Sequence, residues 1–297
     1  LFLVLCFWGC NEEELSDFEK QKNLDDRLVS EFLEENSIQA TSDDNGLYYE
    51  VIQVNPLGQA PRNGDILEIY YRISTLEGKL LEARQQGSFD PRKFRHVSDG
   101  LHPAGMNIGA SYMRTGEIFR FYIPSYLAFG AFGNNILPVH SNLLVEMELI
   151  NIISDQEQFQ SEIDSLNQFL NSQGLNNTET FSYGIVKYRQ SPPSGLDYPL
   201  SNELVNVVLE RKYLDGTSTS LPTTPGENNV TTLRMGRNMT KGLEFALSRM
   251  QEGEKASFFI PSRLAFDSYT QVFPEKFRAA FQTDYLGYQD IVPFANI

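Results

Sequence analysis

The side chains that carry most covalent chemistry are few in this chain and are not spaced for it. Three histidines (His96, His102, His140) and two cysteines (Cys6, Cys10) occur in 297 residues, none at metal-ligand spacing, which leaves little material for a transition-metal site. His102 reads as a pocket-rim or solvent residue rather than a ligand. What recurs instead is apolar. Gly105, Met113, Gly116, Ile123, Pro124, Ser125, Leu127, Ala128 and Phe129 return 137 residues later as Gly242, Met250, Gly253, Ile260, Pro261, Ser262, Leu264, Ala265 and Phe266. Nine identities in one register at this period mean two whole domains in tandem rather than short solenoid units. Residues of this kind can bind a substrate and strip it of water, but they do not attack it.

Length and composition agree with the repeat. At 297 residues, with 41% hydrophobic and 12% aromatic content, the chain can fill two cores. A formal charge of -15 would repel phosphate backbones, so nucleic acid is excluded as a partner.

The elements that must position the repeated residues can be read from periodicity. Leu24, Leu28, Phe32 and Leu33 share one helical face, as do Ile163, Leu166, Phe169 and Leu170 in the second copy. Each helix precedes a strand-like run, Gly46 to Ile52 in the first half and Phe181 to Tyr188 in the second. In the first half Ile66 to Ile73 is β-rich, Leu76 to Lys79 is a turn, and Pro103 to Met113 offers a short helix. Ile118 to Ile123 is a strand stopped by Pro124, and Leu143 to Ile153 is a last apolar strand. The pattern predicts an α+β fold of two tandem domains, each an antiparallel sheet curled over a short helix and each preceded by a helix. The expected divisions are a signal remnant over 1–10, an acidic tether and helix over 11–40, a first domain over 41–153, a linker and helix over 154–178, and a second domain over 179–297. The boundary is placed in the polar stretch Ser154 to Gln160.

The ordered string Gly105, Met113, Gly116-Glu117, Ile123-Pro124, Leu127-Ala128-Phe129-Gly130 and Gly133, followed by Ile136-Leu137-Pro138 and the run Leu143 to Leu149, resembles the FK506-binding (FKBP) type of peptidyl-prolyl cis-trans isomerase. Upstream, Gly64 to Glu82 fits the same family's strand-turn-strand segment, with Tyr71 at its tyrosine and Gly78 at its turn glycine. The likeness covers roughly residues 46–153, and a looser one covers roughly 180–297. It implies FKBP-like domains, each a half-barrel sheet wrapped on a short helix, with a shallow apolar cleft between them that receives a proline ring. It also implies an enzyme, a peptidyl-prolyl cis-trans isomerase (EC 5.2.1.8), that needs neither cofactor nor metal.

The physics of that activity suits the residues at hand. Resonance holds an X-Pro amide planar behind a barrier of about 18–20 kcal/mol. A water-poor apolar cleft disfavours the charge-separated planar form, and a pocket shaped for the twisted amide binds the transition state better than either isomer. A thousand-fold acceleration asks for about 4 kcal/mol. Carried over position by position, the family's cleft falls on Tyr71, Leu81, Glu82, Met106, Phe129, Leu137 and Val145, with Phe94 a candidate further wall aromatic. Core packing is the competing reading for each. Two departures weaken the polar grip. Phe129 keeps the ring of a family tyrosine without its hydroxyl, a hydrogen bond worth about 0.5–1.5 kcal/mol. Pro103 stands where the family presents a backbone N–H, and proline has none. Weak or altered isomerase activity is therefore expected, without tight binding of macrolide inhibitors.

The second copy has drifted further. The same register puts Leu209, Thr219, Ser220 and Leu243 at the tyrosine, aromatic, acid and floor positions, and Phe266-Asp267 replaces Phe-Gly, so this half is expected to be an isomerase-like shell without useful activity. The offset grows from 137 to 155 between Phe266 and Ile291-Val292-Pro293, which places 18 extra residues beside the cleft. Within them Pro274 to Phe281 has the pattern of a short amphipathic helix, either a lid on its own domain or a partner-binding element. The chain ends four residues past Pro293, before any match to the strand Leu143 to Leu149, and it starts without methionine. The expectation is a degenerate second domain within a partial sequence cut at both ends.

Leu1 to Trp8 is apolar and too short to span a membrane. With Gly9-Cys10 it resembles the tail of a lipoprotein signal and its lipobox, which implies lipidation at Cys10, loss of Cys6 with the signal, and a mature chain without free thiol or disulfide. The acidic run Asn11 to Glu14 resembles an export signal of Bacteroidetes lipoproteins, and the whole resembles isomerase-like lipoproteins associated with gliding motility in that group. The expected location is the cell envelope, lipid-anchored to the outer membrane on its periplasmic or surface face. The expected function is assistance to folding of envelope or secreted proteins, with unfolded or proline-containing segments as partners. The alternative is a non-catalytic proline-segment binding module or chaperone in an envelope complex.

Overall fold

A computed structural model of the chain describes residues 15–216, 230–266, 271–277 and 294–297. Two polar stretches open helices. The Ser16 hydroxyl accepts from the Glu19 N–H while the Glu19 carboxylate accepts from the Ser16 N–H, a capping box that starts α1 (Asp17–Glu35). Ser154 and Glu157 repeat the device at α3 (Asp155–Ser172). Both helices begin before the apolar periodicity that reveals them, and the stretch read as a boundary at 154–160 is the first part of α3.

The first half carries β1 (Thr41–Ser42), β2 (Tyr48–Gln53), β3 (Ile66–Thr75), β4 (Leu80–Arg84), β5 (Arg92–Arg95), α2 (Ala104–Ala110), β6 (Ile118–Ile123) and β7 (Leu143–Ile153). All pairings are antiparallel, in the order β1-β2-β6-β7-β3-β4, with β5 also beside β3. β7 is the keystone, joining β6 on one side to β3 on the other. Its Leu143, Val145, Met147 and Leu149 are buried at every second position, as one inward face requires. α2 lies against that face at unusually short range: a Cβ on Gly105 would stand 2.4 Å from Ile123 Cγ2. Only glycine allows this approach, and Ile123 is its partner.

The second half repeats the plan in part. It comprises α3, β8 (Thr178–Thr180), β9 (Val186–Ser191), β10 (Leu204–Val208), β11 (Val230–Arg234), α4 (Lys241–Ser248) and β12 (Lys255–Phe259). A Cβ on Gly242 would stand 2.3 Å from Ile260 Cγ2, so the repeated glycine and isoleucine are the same contact made twice. The strand expected over 181–188 is broken, because Tyr183 and Gly184 adopt positive φ of 66° and 78° between β8 and β9. The sheet itself is divided into β12-β9-β8 and β10-β11. Among the described residues no strand joins β12 to β10 as β7 joins β6 to β3. Ile297 exchanges two hydrogen bonds with Ile260, the place that Leu143 takes beside Ile123. An open cleft of about 1590 Å³ lies between the two sheets, lined by Val205, Val207, Leu247 and Phe259 among others.

A buried clasp ties each leading helix to its domain. Asp25 accepts from the Ser125 hydroxyl, and Glu162 accepts from both the hydroxyl and the N–H of Ser262. The carboxylates are 137 residues apart, like the serines. The repeat therefore includes the helices, and the repeated serines are scaffold.

Candidate functional site

The first-half sheet curls so that β3, β4 and β7 face α2, and the alternation of each strand aims one side chain in two at the enclosed space. Tyr71, Leu81, Phe94, Met106, Leu137 and Val145 are buried in one apolar cluster, with Phe129 packed against it. Glu82, also buried, receives the Tyr71 hydroxyl at 2.6 Å. Six of the seven side chains singled out in the sequence thus lie in or against the first-half core, and Glu82 joins them through Tyr71. Burial, and then the neighbouring Glu82 charge, push the Tyr71 phenol well above its ordinary range, so it stays a donor at neutral pH.

The cleft holds a piece of the chain itself. Val272 forms a parallel bridge with Leu101: its N–H donates to the Gly100 carbonyl at 3.0 Å, and the His102 N–H donates to its carbonyl at 2.8 Å. The Phe273 ring stacks on His102 at 4.5 Å, with the planes within 5°. Pro274 is buried. The N–H groups of Glu275 and Lys276 donate to the two oxygens of Glu82 at 2.9 and 2.8 Å, and Lys276 Nζ reaches the Leu81 carbonyl at 3.1 Å. Phe277 is fully buried in the cluster and stacks on Phe129 at 4.5 Å.

Two sequence expectations change here. The insert was expected to cover its own domain or a partner, and its described part, 271–277, covers the first domain. Residues 278–281 of the expected amphipathic helix lie outside the described residues. The donor that Pro103 cannot supply is supplied one residue earlier by His102, so the backbone grip is displaced rather than lost. His102 does stand at the rim. Burial holds its imidazole below the usual histidine value against the opposing pull of Asp99, which favours the neutral ring that stacks on Phe273.

Arg84 and Arg92 were missed. Arg84 Nη1 and Arg92 Nη2 lie 3.4 and 3.7 Å from the Glu275 carboxylate, and their side chains are only 17% and 12% exposed. The signal was register: Arg84 stands opposite Tyr71, and Arg92 opposite Ile69.

In the second half the matching positions Leu209, Leu243 and Phe266 also line one cleft, the open one of about 1590 Å³, without a tyrosine or an acid among them. Leu243 is half-buried on α4, and Thr219, Ser220 and Asp267 lie outside the described residues, as does Cys10. Among the described residues no group of three or more His, Cys, Asp or Glu is placed to hold a metal ion, and no helix is long and apolar enough to cross a membrane.

Comparison with known proteins places this geometry. The family model for the FKBP-type peptidyl-prolyl cis-trans isomerase matches residues 58–150 and 199–284, together more than half of the chain. FkpA of Escherichia coli K12, a protein named as an FKBP-type peptidyl-prolyl cis-trans isomerase, is 28% identical over 121 residues, which are 41% of this chain and 42% of FkpA. FkpA of Aeromonas hydrophila is 28% identical over 111 residues, 37% of this chain and 40% of that protein. The chain thus matches less than half the length of these relatives. Among solved structures, that of Escherichia coli FkpA is 25% identical with a TM-score of 0.38, covering 45% of this chain and 62% of the other. The three FKBP domains of wheat FKBP73 are 17% identical with a TM-score of 0.35, covering 87% of this chain and 94% of the other. With both of its copies matched by that family model, the chain belongs to the FKBP-type peptidyl-prolyl cis-trans isomerase family.

Proposed function

We propose that the first domain binds proline-containing polypeptide segments in the Tyr71–Met106–Phe129 cleft and accelerates cis–trans interconversion of the X-Pro bond. The observation that carries this reading is that Tyr71, Leu81, Met106, Leu137 and Val145, with Phe129 against them, share one apolar cluster in which Phe277 is buried, while Glu82 takes the Tyr71 hydroxyl. Its walls desolvate the amide, and Glu82 and the His102 N–H hold the backbone on either side of a proline, so the ring is fixed while the bond turns. No group in the cleft needs to change its covalent state. We read the physiological role as assistance to folding of envelope or secreted proteins, where slow proline steps limit the rate. The chain would be held there by lipid on Cys10.

The test is catalysed X-Pro isomerisation by the full chain, measured by exchange NMR on a proline peptide. Tyr71→Ala is expected to lower the rate at least tenfold, by opening the wall and leaving Glu82 without its phenol donor. An unchanged rate would overturn the cleft assignment. A second reading, a cleft that binds without turnover, is favoured by Phe129, which offers a ring and no hydroxyl. It predicts peptide binding with a background isomerisation rate.

A further inference from the structure

We propose that Val272–Phe277 is a tethered ligand of the first-domain cleft, and that a client segment of the same chemistry binds by displacing it: an aromatic residue, proline, an acidic residue, any residue, then a second aromatic. The inference rests on the cleft being the peptide site described above. Each position of the tethered segment has its own receiving group. The backbone of Val272 adds to residues 100–102 as a short strand, a common mode of peptide capture. Phe273 lies on His102, and Phe277 on Phe129. Glu275 faces Arg84 and Arg92, two cations held on the β3–β4–β5 sheet rather than on mobile stems. Glu82 takes the two N–H groups that follow the proline.

The segment is an addition rather than part of the repeated scaffold. It lies in the stretch by which the second copy exceeds the first, where the offset passes from 137 to 155. Its bridge, ring stacks and hydrogen bonds described above are made to the first copy. A cleft filled from within must be vacated before it can serve a client, so the same contacts that define the preferred sequence also set a threshold for binding.

The experiment uses the full chain and a fluorescent peptide carrying the sequence of residues 271–277, with binding read by anisotropy. Glu275→Lys alters an exposed side chain that supports no core, and Phe277→Ala removes the buried ring; each is expected to tighten the apparent Kd of the added peptide, and the double variant at least tenfold. A peptide with lysine in place of its glutamate should bind the double variant at least tenfold more weakly, and Arg84→Ala with Arg92→Ala should erase that preference. Equal affinity of wild type and Glu275→Lys for the peptide, or equal affinity of the double variant for the two peptides, would overturn the proposal. The isomerisation rate separates the two readings. Peptide affinity that rises without any turnover sinks the isomerase reading and keeps the tethered ligand. Turnover that is present, with peptide affinity indifferent to the loop variants, does the reverse.

Discussion

The two halves of the chain share a scaffold, and among the described residues the strand that joins β6 to β3 in the first has no counterpart in the second. In the first half β7 pulls β3 against β6, so that Tyr71 and Val145 look into the same space as α2. In the second half β10 has no such neighbour among the described residues, and its Leu204 and Val208 are 57% and 72% exposed. The repeated identities do not track this difference. Gly105 with Ile123 and Gly242 with Ile260 make the same helix-to-strand contact, and Ser125 and Ser262 fasten the same clasp. Duplication preserved what holds a copy together and, of the site, Phe129; Tyr71 and Glu82 lie outside the repeated set.

Matched substitutions can break the comparison. The largest effect is expected in the cores. Phe121 is fully buried, and its counterpart Phe258 is half-buried beside the divided sheet. Phe121→Ala should cost ~3–5 kcal/mol, and Phe258→Ala distinctly less, as read from native-state hydrogen exchange in each half. Comparable losses would mean that the second core is as closed as the first.

The clasps come next, and here the order reverses. Glu162→Ala strands the hydroxyl and the N–H of Ser262 and the Gln158 amide, whereas Asp25→Ala strands the Ser125 hydroxyl and the Gln21 amide, because the Ser125 N–H goes to Asn142. Each buried group left unsatisfied costs about 1–3 kcal/mol, so urea denaturation should find Glu162→Ala the more damaging of the two.

The smallest effect concerns pH. Glu254 sits at the position of Glu117 and keeps one of its backbone donors, Gln251 in place of Arg114, but where Glu117 receives the Asn55 N–H, Glu254 is paired with Lys187 and Arg189 at 2.7 Å. Burial alone would raise the Glu254 carboxyl, and the hydrogen bonds from Lys187 and Arg189 outweigh it and hold the value below the ordinary one. A depressed carboxylate stabilises fully above the unfolded value of about 4.3, and the contribution is lost as pH falls through the lower folded value. The second half should therefore lose protection as the pH falls below the ordinary glutamate value of about 4.3, and Glu254→Gln should lower its stability at pH 7 while flattening that dependence. A profile left unchanged by Glu254→Gln would remove this pair from the account.

Much of the fold was legible because the repeat carries its own register. The 137-residue offset also held the clasp, since Asp25 and Glu162 obey it, and a buried carboxylate in a helix is easily passed over for the apolar face around it. Helix starts were not legible from the apolar period, because capping boxes are polar and lie ahead of it. The seven cleft positions came from family resemblance, and the strands that carry several of them were legible from alternation. The occupant of the cleft was not. Glu275 and Glu82 are 193 residues apart, and nothing local to Phe-Pro-Glu-Lys-Phe tells which surface it meets. Long-range docking of this kind depends on shape and charge at both ends, and a single sequence displays those only after it is folded.

The central claim is that chemistry belongs to the first copy, and the repeat supplies an internal control for it. Phe129 and Phe266 occupy the same repeat position, one beneath Phe277 in the cleft and one outside it. The decisive measurement is the X-Pro isomerisation rate of the full chain carrying either Phe129→Ala or Phe266→Ala. The account predicts at least a tenfold loss for the first and a rate within twofold of wild type for the second. Equal losses, or a loss confined to Phe266→Ala, would contradict it.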